Sequence, residues 1–201
     1  MKWIEYLPLA EKTLSTQFNC EEEFYQRILH AVIGALTEVE EILDNYDNGK
    51  LITDINKQGS IAEESADIFW YLSILYRELN ISTLEKDIQV YFIIGPYKRF
   101  VGNKSDDPFN VLLEFTKYTL KFLDSLKKKI YYNKNIDIDD MILLSINMFK
   151  CLEHYCTQYN TNIEDILDKN IAKLKARYGD KFSSDRAINR NLDIEKDILE
   201  S

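Results

Sequence analysis

Proline is almost absent from the body of this chain. None stands between Pro8 and Pro96 and none follows Pro108, while six glycines serve all 201 residues. A β-sandwich or barrel needs turn residues every ~8–12 positions, so such folds have little to work with here. Long stretches without breakers suit helices. Apolar residues make up 45% of the chain and charged residues 29%. That is a globular rather than a disordered composition, with enough apolar content for a core.

Periodicity agrees. Phe24, Ile28, Val32, Ala35, Val39 and Leu43 recur three to four apart and predict a helix within Glu21–Tyr46. A loop over Tyr46–Ser60, with Gly49 and Gly59, precedes a second helix, Ile61–Leu79, apolar on nearly every face. A shorter helix is expected after Ser82. Asp107-Pro108 is an N-cap and first-turn signal for a helix reaching about Tyr132. Further helices are expected over Asp139–Tyr159 and Asn162–Tyr178, the last stopped by Gly179. No βαβ alternation appears, so the expected fold class is all-α, a helical bundle.

The order of elements repeats. An offset of 80 residues aligns Leu43 with Leu123, Asp44 with Asp124, Ser65 with Ser145, Phe69 with Phe149, Leu72 with Leu152 and Asn80 with Asn160. This suggests a tandem duplication within one compact domain: residues 1–95 as a first helical repeat, 96–108 as the connection, and 109–201 as a second.

Charge divides unevenly between these halves. Residues 1–100 hold 17 Asp/Glu against 9 Lys/Arg, whereas residues 101–201 hold 17 against 16. With a formal charge of −9 overall, a nucleic-acid duplex is an unsuitable partner. No apolar run is long enough to span a bilayer and Met1–Ala10 lacks a signal-like core, so a cytoplasmic protein is expected. Cys20, Cys151 and Cys156 form no paired framework and read as reduced thiols. His154 beside the last two does not complete a zinc spacing.

The acids carry the chemistry. Glu38 and Glu41 form an ExxE, and Glu64 and Asp67 an ExxD. Spacing of three sets each pair on one helical face, close enough to share a cation. Such pairs also arise by chance and usually lie on solvated faces. Two features argue otherwise here. Gly34, mid-helix on the stripe of His30, Glu38 and Glu41, costs about 1 kcal/mol relative to alanine and marks a close approach. Glu64 and Asp67 interrupt a helix otherwise apolar almost all round, and buried carboxylates need compensation. Oxygen-only ligands select a hard ion, Mg²⁺ or Mn²⁺. A di-iron bundle is disfavoured because neither His30 nor His154 stands three after a glutamate.

The ExxE in LHAVIGALTEVEEILD, followed after 22 residues by the ExxD in IAEESADIFWYLSILYREL, resembles the MazG-like all-α nucleoside triphosphate pyrophosphohydrolases, as does NIEDILDKNIAKLKARYGDKFSSDRAINRN near the end. The resemblance implies Mg²⁺-dependent cleavage of a nucleoside triphosphate between its α and β phosphates, giving the monophosphate and pyrophosphate. It implies Glu38, Glu41, Glu64 and Asp67 as metal ligands, with Glu41 or the neighbouring Glu40 as catalytic base. Lys173 and Arg177 match the phosphate-gripping pair, Asn170 lies on their face, and Tyr71 and His30 are candidate substrate contacts. The chain departs from the family in that its basic helix lies in the second half, while the equivalents of the four acids there are Tyr118, Lys121, Leu144 and Asn147. A composite site drawn from both halves is the expectation, in a homodimer or a monomer. The alternatives are a dUTP- or dCTP-specific enzyme of the same superfamily, and a catalytically silent nucleotide-binding bundle.

Overall fold

A computed structural model describes residues 19–52, 55–81, 107–159, 162–179, 184–189, 194, 195 and 198, without the side chains of 55–60, 184 and 187. The helix expected after Ser82, and most of the connection over 96–108, lie outside the described residues.

The described residues form an all-α fold. Its helices are α1 (Glu23–Leu43), α2 (Ile55–Glu78), α3 (Pro108–Tyr132), α4 (Ile138–Gln158), α5 (Ile163–Tyr178) and the short α6 (Ser184–Ile188). Three N-termini carry side-chain caps. Asp107 accepts from the amide of Phe109 with Pro108 in the first turn, Asp137 from Asp140, and Asn162 from Glu164. Asn133 ends α3 in the left-handed region at φ 49°, and Gly179 ends α5 at φ 67°. Helix α2 begins at Ile55, earlier than the apolar run at Ile61 suggested.

Between α1 and α2, where the sequence suggested only a loop, lies a small hairpin. Strand β1 (Tyr46–Asp47) pairs antiparallel with β2 (Lys50–Leu51). Asn48 and Gly49 turn it with φ of 50° and 76°, the mirror-image turn geometry that an Asn-Gly pair favours. Tyr46 anchors the hairpin to the bundle: its ring lies 5.3 Å from that of Phe109, and its hydroxyl meets those of Tyr155 and Tyr159.

Helix α1 packs on α2, α3 on α4, α1 on α3, and α2 on α4, while α5 lies against α2. The core runs through all four principal helices, with Ile28, Val32, Leu72, Phe115, Phe122 and Met141 at its centre. Along α1, Ala31 and Ile42 are fully buried whereas Leu43 is half-exposed, so the buried stripe is rotated slightly from the one the sequence suggested. At the offset of 80, buried positions coincide: Val32 with Leu112, Ala35 with Phe115, Ile42 with Phe122, Ile61 with Met141, Leu72 with Leu152 and Leu75 with Tyr155. Phe69 and Phe149, equivalent under the same offset, meet edge-to-face at 5.5 Å where α2 crosses α4. Among the described residues no helix is long and apolar enough to cross a membrane.

Candidate functional site

The site forms where α1 packs on α2. Gly34 makes that approach possible: a Cβ built there would stand 2.2 Å from Cε1 and Cζ of Tyr71, well inside contact distance. The glycine expected to mark a close approach is therefore filled by a neighbouring ring on α2. One turn farther along α1, Glu38 and Glu41 face the same helix.

Glu38, Glu41 and Glu64 each offer a carboxylate oxygen, and these oxygens lie within 4.8 Å of one another. Glu41 is exposed, Glu38 half-buried, and Glu64 only 8% exposed. Burial pushes the Glu64 carboxyl up to about 8, and the charges of Glu41, Glu63 and Glu38 push in the same direction. Glu38 is also raised, first by burial and then by the charge of Asp67, while a hydrogen bond ties it to Glu64. At neutral pH the pair therefore shares a proton. Replacing that proton requires a cation, and three carboxylates without nitrogen or sulfur donors fit a hard divalent ion. Among the described residues this is the one grouping of at least three acids, histidines or cysteines with metal-ligand geometry.

Asp67 is close to this cluster but differently engaged. Both of its oxygens bond to the Lys173 ammonium, at 2.9 and 2.7 Å, and Asn170 donates its amide to one of them. Lys173 also reaches Glu63 at 3.2 Å. These bonds bring residues more than 100 positions apart together and attach α5 to α2.

Helix α5 inverts an expectation. Its sequence suggests Leu167, Ile171, Leu174 and Tyr178 as the packed side and Lys173 and Arg177 as either a solvated face or phosphate ligands. Instead Ile166, Asn170 and Lys173 are buried, with Lys173 at 0% exposure, whereas Leu167 and Ile171 are exposed. A buried lysine persists because two carboxylates meet it. It can contact a substrate phosphate only if Asp67 or Glu63 releases it. Arg177, one turn on, is bonded through Nε and a terminal nitrogen to both oxygens of the buried Glu195.

Of the remaining expected residues, Tyr71 is half-buried, and its hydroxyl is raised by burial and by the charges of Glu38 and Asp67. His30 is exposed, 5.6 Å from the Tyr71 ring and 6.2 Å from that of Trp70. Glu40 is exposed beside Glu41. Glu63 and Glu195 are functional neighbours that the sequence motifs do not include. Glu63 had a signal: with Asp67 it makes an i,i+4 acidic pair, matching the i,i+4 basic pair of Lys173 and Arg177. Glu195 had none. Cys20, Cys151 and Cys156 are free thiols, and His154 is hydrogen-bonded to Gln158. Comparison with protein-family models, curated proteins and solved structures finds no match to this chain.

Proposed function

We propose that the chain is a divalent-cation-dependent nucleoside triphosphate pyrophosphohydrolase built from two tandem helical repeats, releasing a nucleoside monophosphate and pyrophosphate. The observation that carries this reading is the convergence of Glu38, Glu41 and the buried Glu64 within 4.8 Å. Its support from sequence is the ExxE/ExxD resemblance to the MazG-like enzymes. Matching burial at an offset of 80 residues, with Phe69 against Phe149, supports the tandem arrangement.

Glu38, Glu41 and Glu64 would hold Mg²⁺ or Mn²⁺, with Asp67 completing the set from the adjoining turn of α2. When bound, the cation offsets the triphosphate charge and polarises the α-phosphate. The chain's own residues do the rest. Glu41, or Glu40 beside it, accepts the proton of the attacking water on the exposed side of the cluster. Lys173 fixes the orientation of Asp67, and Asn170 supports the same carboxylate. Arg177 stabilises the departing pyrophosphate by exchanging Glu195 for phosphate oxygens. Tyr71 and His30 form one wall of the substrate site.

Pyrophosphate release from a panel of ribo- and deoxyribonucleoside triphosphates, with Mg²⁺ and with EDTA, tests the reading. Turnover lost in EDTA and in Glu64→Gln is expected. No turnover with any triphosphate would sink the hydrolase and leave a nucleotide-binding bundle. Turnover confined to dUTP or dCTP would narrow it to the pyrimidine-specific branch. Size-exclusion chromatography with light scattering tests the expected homodimer.

A further inference from the structure

The second half has a groove where the first has its acids. Between α3 and α4 lies a cavity of about 540 Å³, lined among the described residues by Tyr118, Lys121, Lys128, Asp140, Leu144 and Asn147, with others at its rim. Four of these six, Tyr118, Lys121, Leu144 and Asn147, are the 80-offset counterparts of Glu38, Glu41, Glu64 and Asp67. These four positions thus line a groove in the second half, and their chemistry differs from that of the first half at every one.

We propose that this groove is a second binding site, for a small phosphate-bearing anion taken up without a divalent cation. The charge arithmetic is the main argument. Four carboxylates in the first half become one lysine and three uncharged residues in the second. Leu144, 6% exposed, stands where Glu64 requires a cation or a proton, so this floor requires neither. Tyr118 and Asn147 are also buried, giving a floor that combines apolar surface with a phenol and an amide. That composition, and a volume within the ~300–1,000 Å³ of small-molecule sites, suit a compact organic ligand.

The rim selects its charge. Lys121 holds its ammonium 5.7 Å from the Tyr118 ring centroid, and Lys128 stands two turns farther along α3, about 10 Å by helical rise. Asp124 between them is neutralised by Lys127 at 2.5 Å and Lys128 at 2.6 Å, and its carboxyl is held down to about 2 by those two partners. Asp140, in the first turn of α4, is the remaining acid on the rim. The lining itself balances Lys121 and Lys128 against Asp124 and Asp140, and Lys127, paired with Asp124 from outside the lining, brings the neighbourhood to about +1. An ammonium acts as a point charge that suits a phosphate oxygen. The comparison of positions draws on the tandem reading, and nothing in it depends on the hydrolase reading.

The test is calorimetric titration of the full chain in EDTA with a nucleoside monophosphate and, separately, inorganic pyrophosphate, followed by amide chemical-shift mapping. Binding that moves amides of α3 and α4 is expected, weakened at least tenfold by Lys121→Glu and less by Lys121→Gln. Lys117→Ala, on α3 but outside the lining of the groove, should leave it unchanged. Tighter binding of the monophosphate than of pyrophosphate marks use of the apolar floor, and the reverse order limits the site to the charged rim. Absence of binding at 10 mM of either probe (on the order of the weakest small-ligand affinities) would overturn the proposal. So would equal binding by Lys121→Glu, or loss of binding in Arg177→Ala, which would assign the anion to α5.

Discussion

Glu64→Gln isolates the central tension of the acidic cluster, because glutamine keeps the shape of the protonated carboxyl and cannot ionise. Glu64 moves from an ordinary 4.5 to about 8 in the fold. Below 4.5 the group is protonated in both folded and unfolded chains. Between 4.5 and 8 the folded chain holds a proton that the unfolded chain has released, so stability falls as pH rises through this window. At about 1.4 kcal/mol per tenfold, the full shift corresponds to roughly 5 kcal/mol above pH 8. Water reaching the cluster past exposed Glu41, and sharing of the proton with Glu38, reduce this to about 2–3 kcal/mol. For a chain of this size that is roughly 4–12 °C in melting temperature. Differential scanning calorimetry in EDTA should find Glu64→Gln near wild type at pH 4.5 and more stable by that amount at pH 9. Mg²⁺ at pH 8 should raise the melting temperature of wild type and not that of the variant. A gap between the two proteins that does not vary with pH, or a variant less stable than wild type at pH 9, would refute the reasoning.

Three further outcomes are expected. Gly34→Ala gains about 1 kcal/mol of helix propensity but drives a methyl into the Tyr71 ring, for a net loss of about 1–2 kcal/mol; in a Tyr71→Ala background the same change should become neutral or stabilising, as measured by urea unfolding. Lys173→Met leaves Asp67 and Glu63 without their ammonium and should cost about 3 kcal/mol, with unfolding of α5 seen as lost helical circular dichroism at a lower temperature. Glu195→Gln weakens the carboxylate's hold on Arg177 and should raise kcat/KM for a triphosphate severalfold; an unchanged kcat/KM would mean that Arg177 does not meet substrate.

The all-α class was legible because breaker residues are so few, and helix ends were legible where a capping group writes them, as at Asp107-Pro108, Asn162 and Gly179. The hairpin at Asn48-Gly49 was equally written, in a two-residue turn signal that a loop reading passed over. Spacing set Glu38 with Glu41 and Glu64 with Asp67 on single helical faces, whereas the meeting of acids from the two helices was what the family resemblance implied. The surroundings of Asp67 did not, because its partners Asn170 and Lys173 arrive through tertiary packing from over 100 residues away. Helix α5 misled for a physical reason. Periodicity identifies an apolar face and assumes that this face is the buried one, whereas two carboxylates on α2 draw in the adjoining face, about 100° round the helix, and leave Leu174 and Tyr178 half-buried.

That choice of face has a thermal consequence. Helices α1 to α4 cohere through apolar surface, whose exposure gives unfolding its large heat-capacity increment. Helix α5 is bonded to α2 by Lys173 and Asn170, adds only Ile166 and Ile163 to the apolar core, and has Arg177 clasped to Glu195. Its release exposes comparatively little apolar area, so it should form a separate opening unit with a small heat-capacity change. Its amide hydrogens should exchange with solvent faster than those of the four-helix core, through subglobal rather than global opening.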